Sequence, residues 1–270
     1  MKGAAAFIIP FLSMAMLSAA PARKSVFLIQ PFSPAGDAAA SWMARGITDT
    51  VVSDLSRVRS ITVVTDEDRR RALREMELAM TGLSETETVR RTGVLTGADI
   101  IITGSCTVSG KAIRVNIRII DADKGTVAAS SVLDGTVDGI FALQDTLVSR
   151  LIEESRKAAD PAFVIPAMTE EDRRAIAVKT VPATSAFELY SRALGLYESD
   201  PAQCITLCDK ALEQQPDYFE ALTLSAAAEN LSGRATLAAA RLSRARAAIK
   251  KRGGASGVTA AFLEMNAAPV

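Results

Sequence analysis

The stretch "GSCTVSGK", residues 104–111, raises the first chemical question. Two glycines followed by a lysine, after an apolar run, resemble the loop that cradles nucleotide phosphates. That loop needs four residues between its glycines, so that successive backbone N–H groups curl around a phosphate. It also needs a Ser or Thr after the lysine to bind magnesium. Here five residues separate Gly104 from Gly110, and Ala112 follows Lys111. A helix should come next. Instead Ile113, Val115, Ile117 and Ile119 alternate along one face of a strand, as Ile100, Ile102, Cys106 and Val108 do before it. Ser109-Gly110 therefore reads as the tight turn of a β-hairpin, and nucleotide chemistry is not expected.

The remaining candidates for chemistry are few. "DADKG", Asp121 to Gly125, hints at a calcium loop, but its glycine falls one place early and no glutamate closes it; it reads as a hairpin turn. Histidine is absent, which removes the commonest general base and the commonest metal ligand. Cys106 alternates with the apolar face of its strand. Cys204 and Cys208 stand four apart on a predicted helix and so share a face. Side chains one turn apart make poor disulfide geometry, and a metal would need further ligands. Packing is the expected role of all three. No catalytic, metal or cofactor-binding residue is expected.

Basic and acidic residues balance at 31 each, which offers no electrostatic footprint for nucleic acid. Hydrophobic residues make up 49% of the 270, enough for a sizeable core. The first 22 residues read as a secretory signal: Lys2 at the positive end, an apolar run from Ala4 to Leu17, and Ala20-Pro21-Ala22 as a small-x-small cleavage site. The mature chain is then expected to begin at Arg23, in the periplasm; the other reading is a retained membrane anchor. No cysteine lies near the cleavage site for lipid attachment.

The elements around these residues follow from periodicity. Ser25 to Phe32 is apolar on both faces, as in a central strand, and Pro34 and Gly36 break it. A helix is predicted over 37–58, with Met43, Ile47, Val51, Leu55 and Val58 on one face. A short strand (61–65), a charged helix (66–80) and a second helix (85–96) precede the hairpin. A third strand (126–133) and a helix burying Ile140, Phe141, Leu143, Leu147, Leu151 and Ile152 complete the order β-α-β-α-α-β-β-β-α. This predicts one α/β domain, a mixed sheet with flanking helices, over residues 23–158.

"VFLIQPF", "WMARGITDTVVSDLSRV", "TGADIIITGSCTVSGKAIRVNIRIIDADKGTV" and "DGIFALQDTLVSRL", in that order, resemble the TolB amino-terminal-like domain. They also resemble its envelope relatives, the CsgG, FlgO and penicillin-binding-protein activator families. The resemblance covers about half of the chain. It implies a non-enzymatic module, periplasmic or at the outer membrane, and brings no catalytic residues. The lipid-attachment cysteine of the lipoprotein relatives has no counterpart in this sequence.

Residues 159–184, with three prolines, read as a linker in which Thr169 and Asp172 could cap a short helix. Over 185–252 helical periods repeat as two helix pairs that resemble tetratricopeptide repeats. Cys204, Cys208, Ala211 and Pro216 fall at that family's helix-B steps, and Ala238, Leu242 and Ala245 recur 34 residues after the first three. The resemblance implies that these are the repeat-packing residues. Gly195 and Glu229 depart from its pattern, Gly195 by tightening the turn between the first two helices. Two repeats are fewer than a free-standing array needs, so the tail should lean on the first domain or bind something with its edge. The basic run "RLSRARAAIKKRGG" reads either as favourable charge at a helix C-terminus or as a contact for an acidic partner or anionic lipid. Residues 253–270 are expected to be loosely ordered.

Three functions are weighed on this basis, and the third, an enzyme, suffers from the missing histidine and the lack of any motif with the right spacing. The first is an exported scaffold that binds other envelope proteins through the helical adaptor. The second is a subunit of an outer-membrane secretion or flagellar-ring assembly, a homo-oligomer built through the α/β domain.

Overall fold

A computed structural model describes residues 24–79, 84–158, 167–177 and 182–251; the expected leader, residues 80–83, parts of the expected linker (159–166 and 178–181) and the expected loose tail lie outside this set. The observed fold class is the expected one, a mixed sheet with flanking helices followed by an all-helical region. Strand β1 (Ser25–Ile29) lies between β3 (Ile61–Val63) and β4 (Ile100–Ser109), parallel to both. β5 (Ala112–Asp121) and β6 (Thr126–Thr136) extend the sheet antiparallel, giving the order β3-β1-β4-β5-β6. Helix α1 (Ala39–Leu55) and helix α4 (Ile140–Ala158) cover one face. Met43, Ile47, Val51 and Leu55 are completely buried there, as their spacing predicts. Helix α3 (Glu85–Thr96), capped by a reciprocal Ser84–Glu87 box, covers part of the other face above Leu28, Ile101 and Ile120; α2 (Asp66–Ala79) precedes it.

Three details differ from the sequence reading. Pro34 and Gly36 do not only end β1: Ser33–Gly36 forms its own short strand, β2, parallel to the far half of β4, with Pro34 opposite Cys106. The hairpin loop is Gly110-Lys111, since Ser109 and Ala112 are still paired. Gly110, at φ +58°, supplies the positive φ that a two-residue II′ loop requires at its first position. Its N–H donates to the Asp37 carboxylate at 2.7 Å, so an acid already occupies the place a phosphate would take. β6 runs on to Thr136 and carries a bulge where Ala128 interrupts the pairing with Ile119 and Ile120. The Asp121–Gly125 turn is closed by Asp121, which accepts from the N–H groups of Asp123 and Lys124 and from the Lys124 ammonium.

Between the two regions, α5 (Glu170–Ala177) is more than a connection. Thr169 and Asp172 cap it reciprocally, and Asp172 also accepts the Arg59 N–H at 3.1 Å, which ties α5 to the turn after α1. These donors outweigh the cost of burial and hold the Asp172 carboxyl below its ordinary pKa. Four helices follow: α6 (Thr184–Leu194), α7 (Pro201–Gln214), α8 (Phe219–Leu231) and α9 (Ala235–Lys251), each packed on the next. Asp200 caps α7, with Pro201 in its first turn.

Candidate functional site

The place where the two regions meet is an elaborated polar site. It begins with a glycine. Gly46 lies in the middle of α1, where glycine costs about 1 kcal/mol relative to alanine. A Cβ there would stand 2.5 Å from the Phe187 ring and 2.4 Å from Ser191 Oγ of α6. The missing side chain therefore lets α6 lie against α1. Phe187 fills the gap, edge-on to Trp42 of α1 (centroids 6.1 Å apart) and Phe141 of α4 (5.2 Å). One hydrophobic cluster consequently runs without a break from Phe27 in the sheet to Leu242 in α9. One turn on from Gly46, the Tyr190 hydroxyl donates to Asp49 Oδ2 at 2.8 Å, and the Arg45 guanidinium donates to the Ser191 carbonyl at 3.3 Å. Arg45 also lies over Gly195, the residue that caps α6.

Below this contact lies a cavity of about 40 Å³, room for a water or two. Its walls carry Asp49 and Asp54 from α1, Arg57 from the turn after it, Gln144 from α4, Tyr190 from α6, and Tyr218 and Glu220 from the start of α8. Enclosure raises the Asp49 carboxyl to about 6; the Tyr190 hydroxyl opposes that rise and the nearby Asp54 adds to it. Burial pushes the Tyr190 and Tyr218 hydroxyls well above their ordinary range. Gln144 is 1% exposed and its amide nitrogen has no hydrogen-bond partner among the described residues. This arrangement can order water, hold a proton and couple two helices. Its size suits water, not an organic substrate.

A second polar cluster lies inside the helical region. Glu229, 2% exposed on α8, pairs with Arg234 at 2.6 Å and Arg241 at 3.4 Å; Arg241 of α9 in turn forks onto Asp209 of α7 at 2.6 and 3.1 Å. The Asp209 hydrogen bond raises the Arg241 pKa against the opposing effect of burial. Glu229, Arg234, Arg241 and Asp209 thus form an ion-pair network that joins three helices. Of the residues singled out for packing, Cys204, Cys208, Ala211, Ala238, Leu242 and Ala245 are all buried, whereas Pro216 is exposed at the α7–α8 corner, its carbonyl accepting from Arg244. The three cysteines are free thiols, and burial pushes Cys106 up to about 11.

The junction residues Gly46, Asp49, Phe187 and Tyr190 were not singled out from sequence. The one local signal was Gly46, a glycine inside a strongly periodic helix, which calls for a packing reason. No group of metal-ligating side chains occurs among the described residues, and no helix among them is long and apolar enough to cross a membrane.

No protein-family model matches the chain. Among curated proteins, a putative adenylate cyclase 3 of Rhizobium meliloti (strain 1021) is 26% identical over 173 residues. The match takes in 64% of this chain but only 26% of that protein, so the chain spans about a quarter of its relative's length. Among solved structures the chain is similar to the LpoB C-terminal domain from Escherichia coli, at 16% identity and TM-score 0.35, over 44% of this chain and 89% of that one. It is similar to TolB from Acinetobacter baumannii, at 15% identity and TM-score 0.35, over 51% of this chain and 29% of that one. It is also similar to lipoprotein GNA1162 from Neisseria meningitidis, at 15% identity and TM-score 0.35, over 48% of this chain and 98% of that one.

Proposed function

We propose that the chain is an exported, non-enzymatic interaction scaffold of the bacterial cell envelope. In this reading the α/β unit is a platform and α6–α9 form a tetratricopeptide-like adaptor that binds other envelope proteins. The observation that carries it is the junction. Gly46 admits α6 against α1, Phe187 plugs the joint and Tyr190 latches onto Asp49, so the helical region is presented on a fixed base and its outer surfaces remain free. Cys204, Cys208, Ala211, Ala238, Leu242 and Ala245 take the repeat-packing positions, with Pro216 turning the corner between the two pairs. The basic end of α9, with Lys250 and Lys251, suits an acidic partner or an anionic membrane surface at the periphery.

Chemical crosslinking in native cells, followed by fractionation and identification of the adducts, tests this reading. The expected adducts are periplasmic or outer-membrane proteins. Adducts confined to cytoplasmic proteins contradict it.

A further inference from the structure

The far edge of the sheet carries an inference that does not depend on the envelope reading. β6 is the edge strand of the order β3-β1-β4-β5-β6, and no described strand pairs with its outer side. At 11 residues it is the longest strand of the sheet. Sheet edges are normally protected by short strands, lysines, prolines or covering segments. β6 contains no Pro and no Lys, and its one charge is Asp134. Two of the large apolar residues that the fold leaves most exposed, Val127 (54%) and Val132 (57%), lie on it.

The side chains on the open face of β6 are arranged to accept a copy of themselves. The register places Asn116 beside Val132, Arg118 beside Ser130 and Arg114 beside Asp134, and all six lie on the face away from α4. Two such strands run antiparallel about a two-fold axis through Val132 bring the two valines directly opposite each other. Ser130 then faces the second copy's Asp134, a hydroxyl against a carboxylate, and the row becomes Arg118, Ser130, Asp134, Arg114 across the seam. Each carboxylate gains a hydroxyl on its open side, with the other copy's Arg118 one strand further in, and no two like charges oppose each other, the condition under which cross-strand pairs stabilise. On the covered face, Leu133 meets Ser131 and Gly135 meets Ala129, each larger side chain against a smaller one. The asymmetric placement of Asp134 and the arginines about Val132 makes this register self-complementary in charge.

We propose that β6 is the pairing edge of a symmetric dimer, its partner a second copy of this chain in antiparallel register about Val132. Light scattering on the full-length mature protein at about 0.1 mM, where a micromolar dimer is almost fully assembled, should give twice the monomer mass. Val132→Lys places two ammonium groups face to face at the axis and should give the monomer mass with an unchanged circular dichroism spectrum. In a separate arm, Val132→Cys should form a disulfide-linked dimer under mild oxidation, because directly opposed strand positions lie within disulfide range. The native cysteines are buried and do not compete. Ala129→Cys, opposite Gly135 and not itself, should stay unlinked. A wild-type monomer at that concentration, a dimer that survives Val132→Lys, or equal crosslinking at positions 129 and 132 would each overturn the proposal. An edge that instead takes a strand from a different protein would leave the wild type monomeric when pure, and so falls among those contrary results.

Discussion

The Tyr190 hydroxyl donates to Asp49 Oδ2 at 2.8 Å, and through this bond the helical region is tied to the helix that covers the sheet. The carboxylate sits among Asp54 of its own helix, Arg57 of the turn that follows, Gln144 of α4, and Tyr218 and Glu220 at the start of α8, with Arg45 one turn away. Its pKa is raised from 3.8 to about 6. A raised carboxyl makes the fold less costly when protonated. The contribution is fully present below about pH 3.8 and is lost as pH rises through about 6. The difference is at most about 2–3 kcal/mol.

Asp49→Asn removes that titration. The variant should therefore gain in melting temperature relative to wild type between pH 5 and pH 8, and the wild-type curve should carry the larger slope over that interval. Equal slopes in thermal melts across the series would mean that the Asp49 carboxyl is hydrated like a surface group.

At Gly46, substitution should separate the helical region from the sheet. Gly46→Ala improves helix propensity by about 1 kcal/mol, yet its Cβ would press into Phe187 and Ser191. The net effect should be destabilising, and Gly46→Val more so. Protease should then cleave between α4 and α6 and leave the α/β fragment intact. A melting temperature raised by Gly46→Ala would show that α6 is not seated on α1.

Within the helical region, Ala211→Glu places a charge at a fully buried contact in α7. Overpacking alone costs about 1–3 kcal/mol, and an unpaired buried charge more, so the helices should part. Far-ultraviolet ellipticity should fall while the fragment before residue 158 stays protected. Unchanged ellipticity and an unchanged protease pattern would sink the packing role of Ala211.

Arg241→Met removes the fork onto Asp209 and leaves Glu229 to Arg234, which is 45% exposed. Because Glu229 keeps Arg234, and Asp209 is 47% exposed, the loss should stay below the cost of a buried charge left unpaired, about 3–5 kcal/mol. The double change Arg241→Met with Glu229→Leu should recover most of the loss in denaturant melts. Full additivity of the two changes would show that they do not interact.

The elements read correctly from sequence were those whose pattern is local. Met43, Ile47, Val51 and Leu55 announce α1 by their spacing, and Ile113 to Ile119 announce β5 by alternation. β2 was missed because its pairing partner, Ser105 to Val108, lies some seventy residues away and because Pro34 and Gly36 read locally as breaks. The junction was hidden for the same reason. Nothing near Asp49 in the chain points to Tyr190, and Phe187 reads as one more apolar residue on an amphipathic helix. Glu229 looked like a departure from a repeat because its cations, Arg234 and Arg241, come from the next turn and the next helix.

The central claim is that the helical region is the adaptor and the α/β unit its base. A photocrosslinker placed at single exposed positions in living cells tests it most directly: Leu237 on α9, 51% exposed, against Val94 on α3, 82% exposed. Discrete adducts with envelope proteins are expected from position 237, lost in Ala211→Glu, and none of comparable yield from position 94. Adducts of equal yield from both positions, or from position 94 alone, would contradict it.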